Sequence, residues 1–230
     1  VAVEDHSFAS WLRHLPLKPE GTAVHHFDGS LKANQQVHAR VVNIETGNID
    51  LQQCADAVMR LKAEYHYSLG DYQKIHFNFT SGDRVSFEDW RRGRRPSIKG
   101  NRVVFSPLGN QEDNSYHNFQ RYLRQIFSYA GTASLAKEMQ AIRLADLQAG
   151  DVFIQGGYPG HAVIVLDLVE NAKGERLFLL AQSYMPAQDM HLLKNLQAPK
   201  QSPWYALDFG AQLQSPEWTF EREDLKRFVP

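Results

Sequence analysis

Residues 150–184, GDVFIQGGYPGHAVIVLDLVENAKGERLFLLAQSY, constrain the fold more than any other stretch. Short apolar runs at 152–154, 161–168 and 176–181 predict three strands. The polar turn at 171–174 joins the last two as an antiparallel hairpin. AVIVL and LFLLA are near-continuous apolar runs, so both faces of this sheet must be covered. His161 opens the middle strand, directly after the bend Tyr158-Pro159-Gly160. An imidazole at the head of a buried strand needs hydrogen-bonding partners, which makes His161 a candidate functional residue.

The rest of the chain sets bounds. Its 230 residues are enough to bury a sizeable core. A net charge of −1 supplies no field to attract nucleic acid or an anionic membrane. No apolar run is long enough to span a bilayer. Cys54 is the single cysteine, so no internal disulfide forms. The chain begins at Val1 rather than Met, as one that has lost an export signal would. His25, His26 and His38 fall in predicted strands with no ligand spacing, and a neighbouring pair points to opposite faces. They read as structural or surface histidines, with neither metal nor cofactor expected.

Periodicity predicts the other elements. Phe8, Trp11, Leu12 and Leu15 recur at helical spacing before Pro16 and Pro19. AVHHFDGSLKA and VHARVVNIE alternate as strands. Residues 50–67 form the clearest helix, with Asp50 as cap and Gln53 completing a capping-box pattern. Leu51, Cys54, Ala55, Val58, Leu61 and Tyr65 form its inward stripe, and Asp56, Arg60, Lys62 and Glu64 its wet face. KIHFNFT, RVSFEDW and NRVVF read as strands around a basic loop. That loop, with Arg91, Arg92, Arg94, Arg95, Lys99 and Arg102 beside Trp90, is either a solvated loop or a seat for an anionic ligand. Helices follow at 115–130 and 132–140, and residues 217–228 read as a charged peripheral tail. No repeat or linker divides the chain, which reads as one domain over 1–230 with an insertion around 70–145.

Cys54 lies in the first helical turn, where free N–H groups and the helix dipole favour a thiolate; burial opposes it. Taken alone, Cys54 reads as a small core hydrophobe. Set beside His161 and Gln182, at the end of the next strand, it completes the arrangement of a cysteine hydrolase: thiol, base and orienting side chain. Asp167 shares the face of His161, but six residues along the strand place it about 20 Å away. His191, in QDMHLL, is a second histidine beyond the sheet.

At these residues the sequence resembles the papain-like superfamily, including its bacterial cell-wall (NlpC/P60) peptidase branch. Cys54 opens the long helix as the nucleophile does there. LQAGDVFI is similar to the Gly-Asp strand entry, GHAVIV to the catalytic-histidine strand, and Gln182-Ser183-Tyr184 stands where papain-like enzymes carry Asn-Ser-Trp. Gln-Gln-Cys-Ala replaces the usual residues around the nucleophile. The resemblance implies an α+β, papain-like fold: a central N-terminal helix packed on an antiparallel sheet, with extra strands and helices inserted. It implies Cys54 as nucleophile, His161 as base and Gln182 as orienter. Gln52 or Gln53 and the first-turn N–H groups would be the oxyanion donors. Over nearly its whole length the chain also resembles a family of exported bacterial proteins of unknown function, common in Bacteroidetes, through LQQCADAVMRLKAEY, PGHAVIV and LLAQSYMPAQD.

The expectation is therefore a cysteine peptidase or amidase of the cell envelope or periplasm. Its substrate would be a peptide or amide, peptidoglycan-derived material being one such. Gln52, Gln53, Trp90, Arg91, Arg94, Tyr158 and Tyr184 would contact that substrate. The alternatives are an inactive papain-like binding module and an envelope scaffold protein. No nucleic-acid partner and no transmembrane segment are expected.

Overall fold

The computed structural model describes residues 1–229. In chain order it runs α1 (Phe8–Arg13), β1 (His38–Val41), α2 (Cys54–Ser68), β2 (His76–Asn78), β3 (Arg84–Ser86), α3 (Phe87–Arg91), β4 (Pro96–Lys99) and β5 (Arg102–Phe105). Next come α4 (Tyr116–Tyr129), α5 (Thr132–Glu138), β6 (Met139–Ala141), β7 (Val152–Gln155), β8 (His161–Glu170), β9 (Arg176–Gln182) and β10 (His191–Leu193). The last are β11 (Tyr205–Ala206), β12 (Gln212–Gln214), β13 (Thr219–Glu221) and β14 (Leu225–Phe228). The architecture is α+β, and no helix is long and apolar enough to cross a membrane.

The main sheet is antiparallel in the order β1-β10-β9-β8-β7-β14-β6, with β11 also pairing β9. Period-two alternation explains its two covered faces. Ala162, Ile164, Leu166, Ala181 and Leu192 join the core that contains α2, while Val163, Val165, Phe178, Leu180 and Phe220 build a second core. Helix α2 is buried nearly all round, as a helix sandwiched between a sheet and other helices must be.

Several local expectations are corrected. The long helix starts at Cys54, three residues later than the capping pattern predicts, with Gln53 rather than Asp50 as N-cap. The Asp50 carboxylate is drawn elsewhere: it accepts the Ala187 N–H at 2.7 Å. Asp56 takes over the start of the helix, accepting the Gln53 N–H at 3.0 Å. Asp56 and Arg60 are buried instead of facing water; Arg60 donates to the Glu45 carbonyl and to Gln52 Oε1, each at 2.6 Å. FEDWR is a helix, because the Ser86 hydroxyl caps it by accepting the Asp89 N–H. AVHHFDGSLKA contributes only isolated bridges, His25 to Leu31 and His26 to Gln188.

The largest correction concerns residues 217–228, which are no peripheral tail. Strand β14 lies between β7 and β6, held by Arg227, whose Nε and Nη2 donate to the buried Asp151 carboxylate at 2.7 and 2.9 Å. The Asp151 side chain also accepts the Gln148 N–H, so the Gly-Asp entry to β7 anchors the end of the chain.

Candidate functional site

Cys54 is the first residue of α2, and its sulfur sits at the head of β8. The N–H of Ala162, the residue after His161, bears on the sulfur together with the N–H groups of Ala55 and Cys54 itself. These donors favour the thiolate. Burial opposes them and is the larger effect, and the Asp56 carboxyl adds to it, pushing the thiol up to about 11. The direction is opposite to that expected of a helix-terminal cysteine, because the half-buried thiol has lost its water. Burial also pushes the Asp56 carboxyl up to about 8.

Pairing places the imidazole and its partner. Ile164 lies opposite Ala181, and His191 opposite Gln182. His161 and Gln182 therefore share a sheet face as diagonal neighbours on adjacent strands. Nε2 of His161 lies 2.8 Å from Oε1 of Gln182. Both are almost fully buried, with 2 % and 1 % exposure. The imidazole is enclosed by the rings of Tyr184, Trp218 and Phe220, at centroid distances of 4.7, 5.3 and 6.0 Å. This desolvation lowers its pKa to about 4. Among the described residues no hydrogen bond joins the Cys54 thiol to the ring.

The other end of the Gln182 amide is fully occupied. Its Nε2 donates to Glu217 Oε2 at 2.6 Å and lies 3.4 Å from His191 Nε2. Glu217 Oε1 in turn accepts from Lys32 Nζ at 2.7 Å. A carboxylate only accepts, so the amide nitrogen faces Glu217 and the amide oxygen faces His161. His161 must then carry its proton on Nε2, which leaves the Nδ1 lone pair free. His191, fully buried with its pKa lowered to about 3, bonds through Nδ1 to the Asp189 carbonyl.

The chain reaches Cys54 through a stitched loop. The Ser183 hydroxyl bonds the Gln52 carbonyl at 3.0 Å and the Gln188 carbonyl at 2.8 Å. Gln52 is 1 % exposed; Arg60 holds its Oε1, and its Nε2 donor has no partner. Gln53 turns towards Asp50. Tyr184 lies between His161 and the Lys32 ammonium, and Tyr158 stands out in solvent, 87 % exposed, three residues before His161.

The basic loop is engaged elsewhere. Trp90 is buried, donating Nε1–H to Asn118 and lying under the Arg95 guanidinium. Arg91 is bidentate on Glu88 and also bonds Glu112, and Arg94 pairs with Asp89. None of these bonds reaches Cys54, His161 or Gln182. Sequence reasoning missed Lys32, Glu217, Trp218 and Phe220. The alternation of Trp218 and Phe220 is the signal that β13 presents an aromatic face; nothing local marks Lys32.

A family model described as a domain of unknown function, DUF4846, matches residues 1–227. The chain belongs to the DUF4846 family. No curated protein and no solved structure matches this DUF4846 chain. Membership in DUF4846 accords with the whole-chain resemblance to a family of unknown function and assigns no chemistry to Cys54 or His161.

Proposed function

We propose that the protein is a cysteine hydrolase of peptide or amide bonds, built as one papain-like domain with residues 70–145 as an insertion. The observation that carries this reading is the His161–Gln182 hydrogen bond, with the Cys54 thiol close to the backbone N–H of Ala162, the residue after the histidine. Gln182 leaves Nδ1 as the basic nitrogen, and an imidazole with a pKa near 4 is unprotonated at neutral pH. Thiol and imidazole thus rest as a neutral pair, and proton transfer accompanies attack.

In the first half-reaction the Cys54 proton passes to Nδ1 as sulfur bonds the substrate carbonyl carbon. The carbonyl π electrons move onto oxygen. The free donor offered to that oxyanion is the unpartnered Nε2 of Gln52. Collapse expels the amine, which takes the proton from the imidazolium and leaves a thioester. Water then gives a proton to Nδ1 and adds to the thioester, and the proton returns to the departing thiolate.

Envelope material of an exported protein fits this chemistry, since peptidoglycan-derived peptides offer amide bonds. The test is the release of new amino groups from a cell-wall peptide mixture. Release that is lost in Cys54→Ala and His161→Ala supports the proposal, and its absence from the intact protein contradicts it. An inactive binding module or scaffold is the second reading, favoured by the upward shift of the thiol.

A further inference from the structure

We propose that Glu217 and Lys32 are positioning residues that set the proton tautomer of His161 through the amide of Gln182. The inference rests on the hydrolase reading for its purpose, but its geometry stands apart from it. Four side chains from distant parts of the chain form a directed series. Lys32 Nζ donates to Glu217 Oε1 at 2.7 Å, and Gln182 Nε2 donates to Glu217 Oε2 at 2.6 Å. His161 Nε2 meets Gln182 Oε1 at 2.8 Å.

An amide side chain is symmetric in shape and reverses easily, so something must choose its orientation. Here the carboxylate does so. Reversing Gln182 would set its oxygen against Glu217 Oε2, two acceptors with no hydrogen between them. It would also set the amide N–H against His161 Nε2, which would then have to give up its proton. That proton would move to Nδ1, and the lone pair available to Cys54 would disappear. His191 reinforces the choice. Its Nδ1–H donates to the Asp189 carbonyl, so its Nε2 accepts the second N–H of Gln182.

Lys32 makes the choice durable. It is 6 % exposed and supplies the counter-charge to a carboxylate whose side chain is only 17 % exposed. Its Nζ lies 5.3 Å from the centroid of Tyr184, the ring that also covers His161. Cation, aromatic cover and carboxylate therefore pack together around the imidazole and its amide partner, so water has little access to exchange with the series.

The decisive variant is Glu217→Gln in the full chain. Lys32 is a pure donor and would claim the oxygen of the new amide, turning its N–H groups towards Gln182. Gln182 would reverse, and His161 would become the Nδ1–H tautomer. The readout is the ring-nitrogen NMR spectrum of histidine-labelled protein. In the parent protein His161 should show a pyrrole-type Nε2 and a pyridine-type Nδ1. In Glu217→Gln the two should exchange, and iodoacetamide modification of Cys54 should slow about tenfold or more. Lys32→Arg keeps the donor and should keep the parent tautomer. Should Glu217→Gln not fold, Lys32→Met with Glu217→Met removes both charges without stranding either, and His161 should then populate both tautomers. A parent tautomer that persists in these Glu217 variants overturns the proposal. His161→Ala separates this inference from the hydrolase reading. If it leaves Cys54 modification unchanged while Glu217→Gln exchanges the tautomer, the series stands and the hydrolase reading falls. If it abolishes modification while Glu217→Gln exchanges nothing, the series falls and the hydrolase reading stands.

Discussion

Nε2 of His161 lies 2.8 Å from Oε1 of Gln182, although 21 positions separate them in the chain. The hairpin between β8 and β9 brings the two strands together, and its register puts both side chains on one face. Gly160, just before the histidine, fixes where that face begins. A Cβ there would lie 2.6 Å from the Gly157 carbonyl oxygen and 2.7 Å from that of Gln155, and would also strike the Thr132 hydroxyl. Gly160→Ala should therefore displace His161 and cost about 1–3 kcal/mol of stability, as overpacking does. Urea unfolding measures the loss, and an unchanged midpoint would contradict this packing.

Asp56 links stability and thiol chemistry to pH. Its folded pKa of about 8 exceeds the unfolded value of about 3.9, so between these values the folded protein holds a proton that the unfolded chain has lost. This group's contribution to stability is therefore present below about pH 4 and lost as pH rises to about 8. Asp56→Asn should gain stability relative to the parent protein as pH rises through that window. It should also lower the Cys54 thiol pKa by removing a carboxyl that raises it. Paired denaturation curves at several pH values, with thiol titrations, check both signs.

The aromatic cover sets the basicity of His161. Trp218 lies tilted against the ring and is tied down by its Nε1–H to Gln155 Oε1 at 2.9 Å. Trp218→Ala should let water reach the imidazole and raise its pKa from about 4 towards the ordinary value. The titration midpoint of the His161 ring proton in NMR reads this directly. A midpoint that stays near 4 would show that other groups keep the ring dry.

The end of the chain should be a structural necessity. Arg227→Ala leaves the Asp151 carboxylate, 1 % exposed, without its cation. Breaking one partner of such a pair costs about 3–5 kcal/mol when both are buried, and the partly exposed Arg227 places the expected loss at the lower end. Thermal unfolding and protease sensitivity of β14 measure it.

The positions of Cys54, His161 and Gln182 in the fold were legible because each rests on short-range pattern: a helix start, a strand head after a glycine bend, and the parity of a hairpin with a clear turn. Glu217 and Lys32 were not, because their positions depend on pairing across 185 residues that no local periodicity reports. Asp50 looks like a helix cap locally, and only the distant Ala187 N–H draws it away. The segment SFEDW carried its own helix signal, a serine three residues before an acid, but its apolar alternation competed with it. The thiol's direction of shift could not be read from helix position alone, since burial outweighs the N–H groups of the helix start.

The most direct measurement is the rate of iodoacetamide modification of Cys54 in the native protein as a function of pH. A thiol that reacts only through its own ionisation, with a pKa near 11, speeds up about tenfold per pH unit across neutrality. Base assistance from an imidazole with a pKa near 4 predicts measurable modification that is nearly flat from about pH 6 to 8. In that case His161→Ala should slow it by about a hundredfold. Modification that appears only in denaturant, and is indifferent to His161→Ala, would contradict the catalytic account.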